Sequence, residues 1–255
     1  MDIAILVAAH KRYWMPQDTV YMPLHVGRAL GGDLGFAGDD TGDNISAKNQ
    51  EYCELTGLYW AWKNLPAAYV GLCHYRRYFG RPVFLGAPER RRAAVWGRAD
   101  YEERLGRCEI LLPRRRLYVI ETVRQQYAHA HTPSDLAAME RVLGQHSPAS
   151  LPAWEAVMAR RGLYITNMFV TSRELFADYC SWLFPLLSRL EDRIDTTGRS
   201  TYERRVYGFM AERLFNVWLE RRAPAALECP VVMLEPVNWP RKAAAFLSRK
   251  LRGGS

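Results

Sequence analysis

His74, Arg76 and Arg77 follow directly on the short apolar run Tyr69–Cys73. A strand that delivers polar groups at its carboxyl end is how an open α/β sheet presents a ligand site. Guanidinium forks grip phosphate or carboxylate oxygens in pairs, so the expected ligand is an anion. The polar segment holding Asn44, Ser46, Lys48 and Asn49 precedes an aromatic-rich stretch with helical spacing. Free N–H groups and the helix dipole favour phosphate at such a position, although capping by Ser46 accounts for part of the pattern without a ligand. Asp39, Asp40 and Asp43 crowd a glycine-rich loop. Closely spaced carboxylates there can bind Mg²⁺ or Mn²⁺, but such residues also cap their own turns, which is the commoner use. Glu212 lies on a helical segment one turn after Gly208, a residue small enough to let a ligand or backbone approach. It is the carboxylate best placed to accept a proton, unless Arg213 or Arg205 holds it in a surface ion pair. Asp135 and His131 are weaker alternatives.

The elements that would position these groups alternate between strand and helix. Ile3–Ala9 reads as a buried parallel strand closed by His10 and Lys11, and Tyr69–Cys73 as the next one. Residues 46–64 read as one helix, with Tyr52, Leu55, Tyr59 and Trp62 at helical spacing. Cys108–Leu112 and Tyr164–Thr171, the latter carrying Asn167, read as strands. So does Val231–Leu234. Residues 117–145 read as helical with a break at Thr132-Pro133, Ser172–Asp195 as a long helix interrupted near Pro185, and Tyr202–Arg222 as a helix. The alternation predicts an α/β fold, a mainly parallel central sheet flanked by helices with a helical carboxyl-terminal part. One domain over 1–240 is expected, followed by a basic tail, 241–255, either amphipathic or disordered.

Composition narrows the partners. A net charge of +8 favours anionic ones. Nucleic acid, a membrane surface and a nucleoside-diphosphate compound all qualify, but no known nucleic-acid module is present. Five scattered cysteines without a C-x-x-C pair argue against a disulfide framework or zinc site, and for a reducing cytoplasm. The amino terminus lacks a signal-peptide pattern, and no window of about twenty apolar residues suggests a membrane span. In the tail, Phe246, Leu247 and Leu251 would share one helix side beside several cations, suiting an anionic membrane surface.

Several motifs occur together and in order: D-N-I-S-x-K-N at 43–49, Y-C-E-L-T-G-L-Y-W-A-W-K-N at 52–64 and G-L-C-H-Y-R-R-Y-F at 71–79. N-M-F-V at 167–170, L-F-x-x-Y-C-x-W-L-F at 175–184 and Y-x-x-R-x-x-G-F-M-A-E-R-L at 202–214 follow. This set resembles a family of glycosyltransferases, formerly a domain of unknown function, encoded in bacterial capsule, exopolysaccharide and O-antigen clusters. The resemblance implies a GT-A-like, nucleotide-sugar-dependent enzyme moving a hexose, with galactose from a UDP-sugar the first guess, to a polysaccharide or lipid-linked oligosaccharide. It also implies a place in the cytoplasm, or on the inner face of the cytoplasmic membrane. GT-A enzymes usually hold the leaving diphosphate through a metal bound by Asp-x-Asp at a central strand end. Here that end carries no carboxylate, so the expectation is a site without a cofactor, in which Arg76, Arg77 and His74 replace the metal. Mg²⁺ or Mn²⁺ on Asp39, Asp40 and Asp43 is the less favoured option. On this reading Glu212 and His74 are catalytic. His10, Lys11, Asn44, Ser46, Lys48, Asn49, Arg76 and Arg77 bind the donor, and Asn167, Tyr202 and Arg205 the acceptor. Ala8 and Ala9 would let a uracil or ribose approach the strand. Two rivals remain: a metal-dependent phosphate-handling enzyme, and a non-catalytic glycan- or membrane-binding subunit of a polysaccharide assembly complex.

Overall fold

The computed structural model describes residues 1–83 and 87–235. The basic tail expected at 241–255 lies outside the described residues. Eleven strands and nine helices appear within them. In chain order they are β1 (Ile3–Ala9), β2 (Tyr21–His25), β3 (Ala37–Gly38), α1 (Asn49–Tyr52), α2 (Leu55–Asn64), β4 (Tyr69–His74), β5 (Arg77–Phe79), α3 (Pro88–Ala93), α4 (Arg98–Leu105), β6 (Ile110–Pro113), β7 (Arg116–Leu117), α5 (Val123–Ala130), α6 (Ser134–His146), α7 (Leu151–Ala159), β8 (Gly162–Leu163), β9 (Phe169–Ser172), α8 (Arg173–Glu191), α9 (Val206–Arg222), β10 (Ala226–Cys229) and β11 (Val231–Met233).

The main sheet has the order β10-β6-β9-β4-β1-β2-β3. Along it only β9 runs against the rest, antiparallel to both β4 and β6. The other pairings, β1 with β2 and β4, β2 with β3 and β6 with β10, are parallel. β5 folds back antiparallel on β4 and is covered by β11. The fold is therefore mixed α/β with a mainly parallel central sheet, as the alternation predicts.

Period-two side-chain alternation splits the core between the two sheet faces. Leu6, Ala8, Val70, Leu72, Ile110 and Leu112 point into one cluster with the aromatic residues of α2, α8 and α9. Ile5, Val7, Ala9, Cys73, Leu111 and Val170 point into the other, against Tyr78, Phe79, Trp96 and Tyr101. Both faces are covered, which explains why β1 and β4 read as continuous apolar runs.

Several local expectations are corrected. Residues 46–64 are not one helix. A 3₁₀ turn at Ser46–Lys48 leads into α1, and the chain breaks at Cys53, with φ 53° and ψ −132°, before α2 begins. The side chains of Asn49 and Thr56 both donate to the Cys53 carbonyl, at 2.7 and 3.1 Å, and hold it out of the helical ladder. The expected strand 164–171 is strand only from Phe169, in β9; β8 ends before it at Leu163, and between the two Thr166 and Asn167 lie in the left-handed region at φ 77° and 52°. The stretch 117–145 starts as a strand end and loop before α5 and α6. Pro185 does not interrupt α8, which continues from Arg173 to Glu191. Tyr202–Arg222 opens with a 3₁₀ turn at Glu203–Arg205 before α9.

Candidate functional site

The sheet order reverses direction at the β1–β4 junction: β2 and β3 lie on one side, β9, β6 and β10 on the other. In open α/β sheets the crevice outside the carboxyl ends at such a point is where ligands sit. The register pairs Ala8 with His74, so His10-Lys11 and Tyr75-Arg76-Arg77 emerge side by side. Buried Tyr75 is their hub. His10 lies edge-on to its ring at 5.2 Å, Lys11 Nζ stands 5.6 Å from its centre, and the Arg76 guanidinium stacks at 4.9 Å. Burial lowers the His10 pKa, and the neighbouring charges of Arg76, Lys11 and Arg205 push it the same way. Lys11, Arg76 and Arg205 thus bring positive charge to this carboxyl edge.

The two arginines differ. Arg76 is half-exposed and donates to Glu235 at 2.9 Å. Arg77 points inward. Burial and the repulsion of Arg76 lower its pKa, while the charges of Glu54 and Glu212 oppose that shift. No hydrogen bond to the Arg77 side chain occurs among the described residues. A partly buried guanidinium whose donors have no partner among the described residues can receive an anion.

Behind Arg77 three side chains hold one strained turn. His74 Nε2 donates to the Thr166 carbonyl at 2.6 Å. Glu212 Oε1 accepts the Thr166 N–H at 2.7 Å, and Glu54 Oε1 accepts from the Asn167 side chain at 2.8 Å. A positive φ at a β-branched residue costs on the order of 1 kcal/mol or more, and persists only where its surroundings enforce it. Burial lowers the His74 pKa, so the ring is neutral and works as a clamp on Thr166. That corrects its expected part as a third cation. Asn167 is buried at 2% exposure, with its carbonyl oxygen unpartnered among the described residues. Its expected acceptor contact is replaced by its bond to Glu54. Glu54 itself escaped the sequence reading. The one signal for it was a lone carboxylate inside the aromatic run at 52–64.

Glu212 is largely buried, its side chain 19% exposed, and its other oxygen accepts from Arg213 at 3.1 Å. Burial raises its pKa, with Arg213 and the Thr166 N–H pulling the other way. The expected surface ion pair is therefore a buried one, since Arg213 is only 2% exposed. Gly208 faces Cys53, not a ligand: a Cβ there would sit 3.4 Å from Cys53 Sγ, an ordinary contact. Arg205 donates to the same sulfur at 3.1 Å and stays exposed at the crevice edge.

An aromatic shelf continues from Arg205. Tyr202, 52% exposed, stacks on His131 at 5.7 Å, and His131 lies 4.1 Å from Phe209. Such a face suits the apolar side of a sugar ring. Burial, then Arg213 and Arg205, lower the His131 pKa to about 4. The folded protein thus binds this proton more weakly than the unfolded chain. Stability contributed by neutral His131 is complete above its ordinary value of 6.5 and is lost as pH falls from there towards about 4. Thermal denaturation from pH 7 to 4.5 is expected to show a fall in melting temperature that His131→Phe reduces. An unchanged slope would remove His131 as a cause.

The other expected donor residues have internal partners. Ser46 is fully buried, hydrogen-bonded to Asp39 and accepting from Ala29 N–H at 3.1 Å, so it is neither a helix cap nor a phosphate contact. Asn44 closes a turn on Gly42 O and Ser46 N–H. Lys48 pairs with Glu191 at 2.8 Å, and Asn49 holds Cys53 O and Thr56. Of the three aspartates, Asp39 is buried and accepts the N–H groups of Gly27 and Arg28. Asp40 lies 3.7 Å from Arg28, and Asp43 binds Tyr59 and Lys63. Asp39 and Asp43 are thus engaged in contacts of the loop, while Asp40 Oδ1 is buried without a hydrogen-bond partner among the described residues. No group of three or more His, Cys, Asp or Glu side chains suited to a metal occurs among the described residues. Asp135 is likewise structural, gripped by both Arg199 nitrogens at 2.8 and 2.9 Å.

Two concavities, of about 330 and 210 Å³, open elsewhere, beside Arg104, Arg107 and Leu227 and beside Tyr69, Glu109 and Ser172. The second lies at the opposite sheet edge and carries none of this chemistry. No helix among the described residues is long and apolar enough to cross a membrane.

The family model described as "Domain of unknown function (DUF4422)" matches residues 4–223. A solved structure described as the apo structure of the bifunctional glycosyltransferase WbbM is similar at a TM-score of 0.84 and 30% identity. That match covers 92% of this chain and 46% of the other, so the chain spans about half the length of that relative. No curated protein matches.

Proposed function

The chain belongs to the DUF4422 family, and from that premise we propose that it is a glycosyltransferase moving a sugar from a UDP-sugar to a glycan or lipid-linked oligosaccharide in bacterial surface-polysaccharide synthesis. The observation that carries this reading is the cluster of Lys11, Arg76 and Arg77 at the β1–β4 junction, with the largely buried carboxylate Glu212 beside it. The similarity to a glycosyltransferase over 92% of the chain supports it.

In the proposed reaction the donor diphosphate lies along Lys11, Arg76 and Arg77. The acceptor sugar stacks on Tyr202, with Arg205 at its edge. Glu212, made more basic by burial, takes the proton of the acceptor hydroxyl as that oxygen bonds to the donor's anomeric carbon. The bond from that carbon to the diphosphate breaks, and the electron pair leaves with UDP. Arg77, its donors open, stabilises that growing charge where a metal would otherwise act. Glu54, His74 and Asn167 hold Thr166 and hence Glu212 in place. A membrane-facing location fits the lipid-linked acceptor.

UDP is expected to raise the melting temperature, by mass action, with EDTA leaving most of the shift intact. UDP-galactose is the first donor to assay for transfer. A UDP shift that vanishes on chelation and returns with Mn²⁺ would overturn the metal-free version. Release of free phosphate without sugar transfer would overturn the transferase.

A further inference from the structure

We infer that the loop from Arg114 to Ile120 is a docking element for anionic lipid bilayers, placed at the rim of the crevice. β6 runs parallel to β4 within the sheet, so the chain leaving β6 at Pro113 emerges on the same edge as His74. Arg114, Arg115 and Arg116 come first, followed by Leu117, Val119 and Ile120, which are 74%, 82% and 50% exposed. These three are among the few large apolar side chains turned to solvent in the described residues, and they are nearly contiguous. Clustered exposed aliphatics mark an interaction site in a way that scattered ones do not.

The loop is held, which makes the exposure a property of the fold. Tyr118 N–H donates to Arg161 O and Val123 N–H to Arg160 O, both at 2.7 Å, and β7 pairs with β8. Tyr118 turns inward, where the charges of Arg213 and Glu212 act on it. Its neighbours Leu117 and Val119 are thereby turned outward. The arginines stand behind them: Arg115 stacks on Tyr164 and pairs with Glu228 at 3.5 Å, Arg116 lies over Tyr118, and Arg114 has no ion pair among the described residues.

Charge complementarity selects the occupant. Aliphatic tips reach the acyl boundary while guanidinium groups meet lipid phosphates, the arrangement of interfacial anchors. A second copy of this chain would bring the same arginines and the same net charge of +8 against them. The proposal does not depend on the transferase reading, and its test uses no donor or acceptor.

The full chain, tail included, is floated with vesicles of phosphatidylcholine alone or mixed with phosphatidylglycerol. Wild type is expected to float with the anionic vesicles and to be released by salt. The triple variant Leu117→Ser, Val119→Ser and Ile120→Ser is expected to lose at least about tenfold in partition, the equivalent of roughly two buried methylenes. Arg114→Ser with Arg116→Ser should weaken the preference for anionic lipid, and Leu227→Ser on β10 should change nothing. Each variant's melting temperature is measured, the substituted side chains being exposed. Triple-variant flotation equal to wild type would overturn the proposal, as would a wild type that ignores anionic lipid. A concentration-dependent dimer abolished by the triple variant, without lipid binding, would assign the loop to self-association and overturn it equally.

Discussion

Arg77→Ala is expected to lower UDP affinity about ten- to hundredfold while changing uridine affinity less than about threefold. A hydrogen bond to a charged group contributes roughly 1.5–3 kcal/mol, and about 1.4 kcal/mol is tenfold in affinity. Arg77 is singled out over Arg76 because their partners differ. Arg76 already bonds Glu235 with both side chains 41% exposed, so it loses one weak, screened pair to gain another. Arg76→Ala should therefore have the smaller effect. Arg77→Lys keeps the charge without the fork and should fall between. Removing Arg77 also removes a cation that opposes the rise in the Glu212 pKa. The acidic limb of the rate should therefore move to higher pH. Isothermal titration with UDP and uridine checks the first claim. Equal losses for both ligands would make Arg77 a structural residue.

Glu212→Gln is expected to lower turnover by about 10²–10⁴-fold, the usual contribution of a general base. It is also expected to destabilise the protein. Gln can still accept the Thr166 N–H, but Arg213, at 2% exposure, loses its anion. Breaking a buried pair from one side costs about 3–5 kcal/mol, roughly 10 °C in melting temperature for a chain of this size. The two effects separate in the double variant Glu212→Gln with Arg213→Met. Removing both charges should restore much of the stability and none of the turnover. In wild type the raised pKa gives the opposite signs for rate and stability. On the proposed reading the rate should rise with pH as Glu212 ionises, above the ordinary carboxylate range. Over the same window its contribution to stability falls, because the folded state holds that proton more tightly. Near-wild-type turnover in Glu212→Gln, with loss in Glu54→Gln, would move the base to Glu54.

The sheet edge was legible in the sequence because its signal is local. The apolar runs of β1 and β4 end abruptly in charge, and strand ends in a doubly covered sheet read that way. The turn behind the edge was not legible. Thr166 meets Glu212 and His74 across long stretches of chain, and β9 runs backwards, so the residues entering it, not those leaving it, reach the ligand edge. Ser46 carries the local signature of a helix cap, yet its hydroxyl is held by Asp39 in a loop that propensity does not place. The break at Cys53 likewise comes from side-chain bonds made by Asn49 and Thr56 to its carbonyl, which the helical spacing of the aromatics conceals.

The turn at Thr166–Asn167 also bears on how this family could diversify. Glu54, His74, Asn167 and Glu212 share one backbone kink, so substitutions among them should be strongly non-additive, a second change doing little once the first has released the turn. A lineage can scarcely reach new chemistry there one step at a time. Tyr202 and Arg205 stand on the exposed turn before α9 and hold none of the kink's hydrogen bonds. Variation there should combine nearly independently with the rest, so on the proposed reading acceptor choice would be the evolvable trait and the proton-taking apparatus the inherited one.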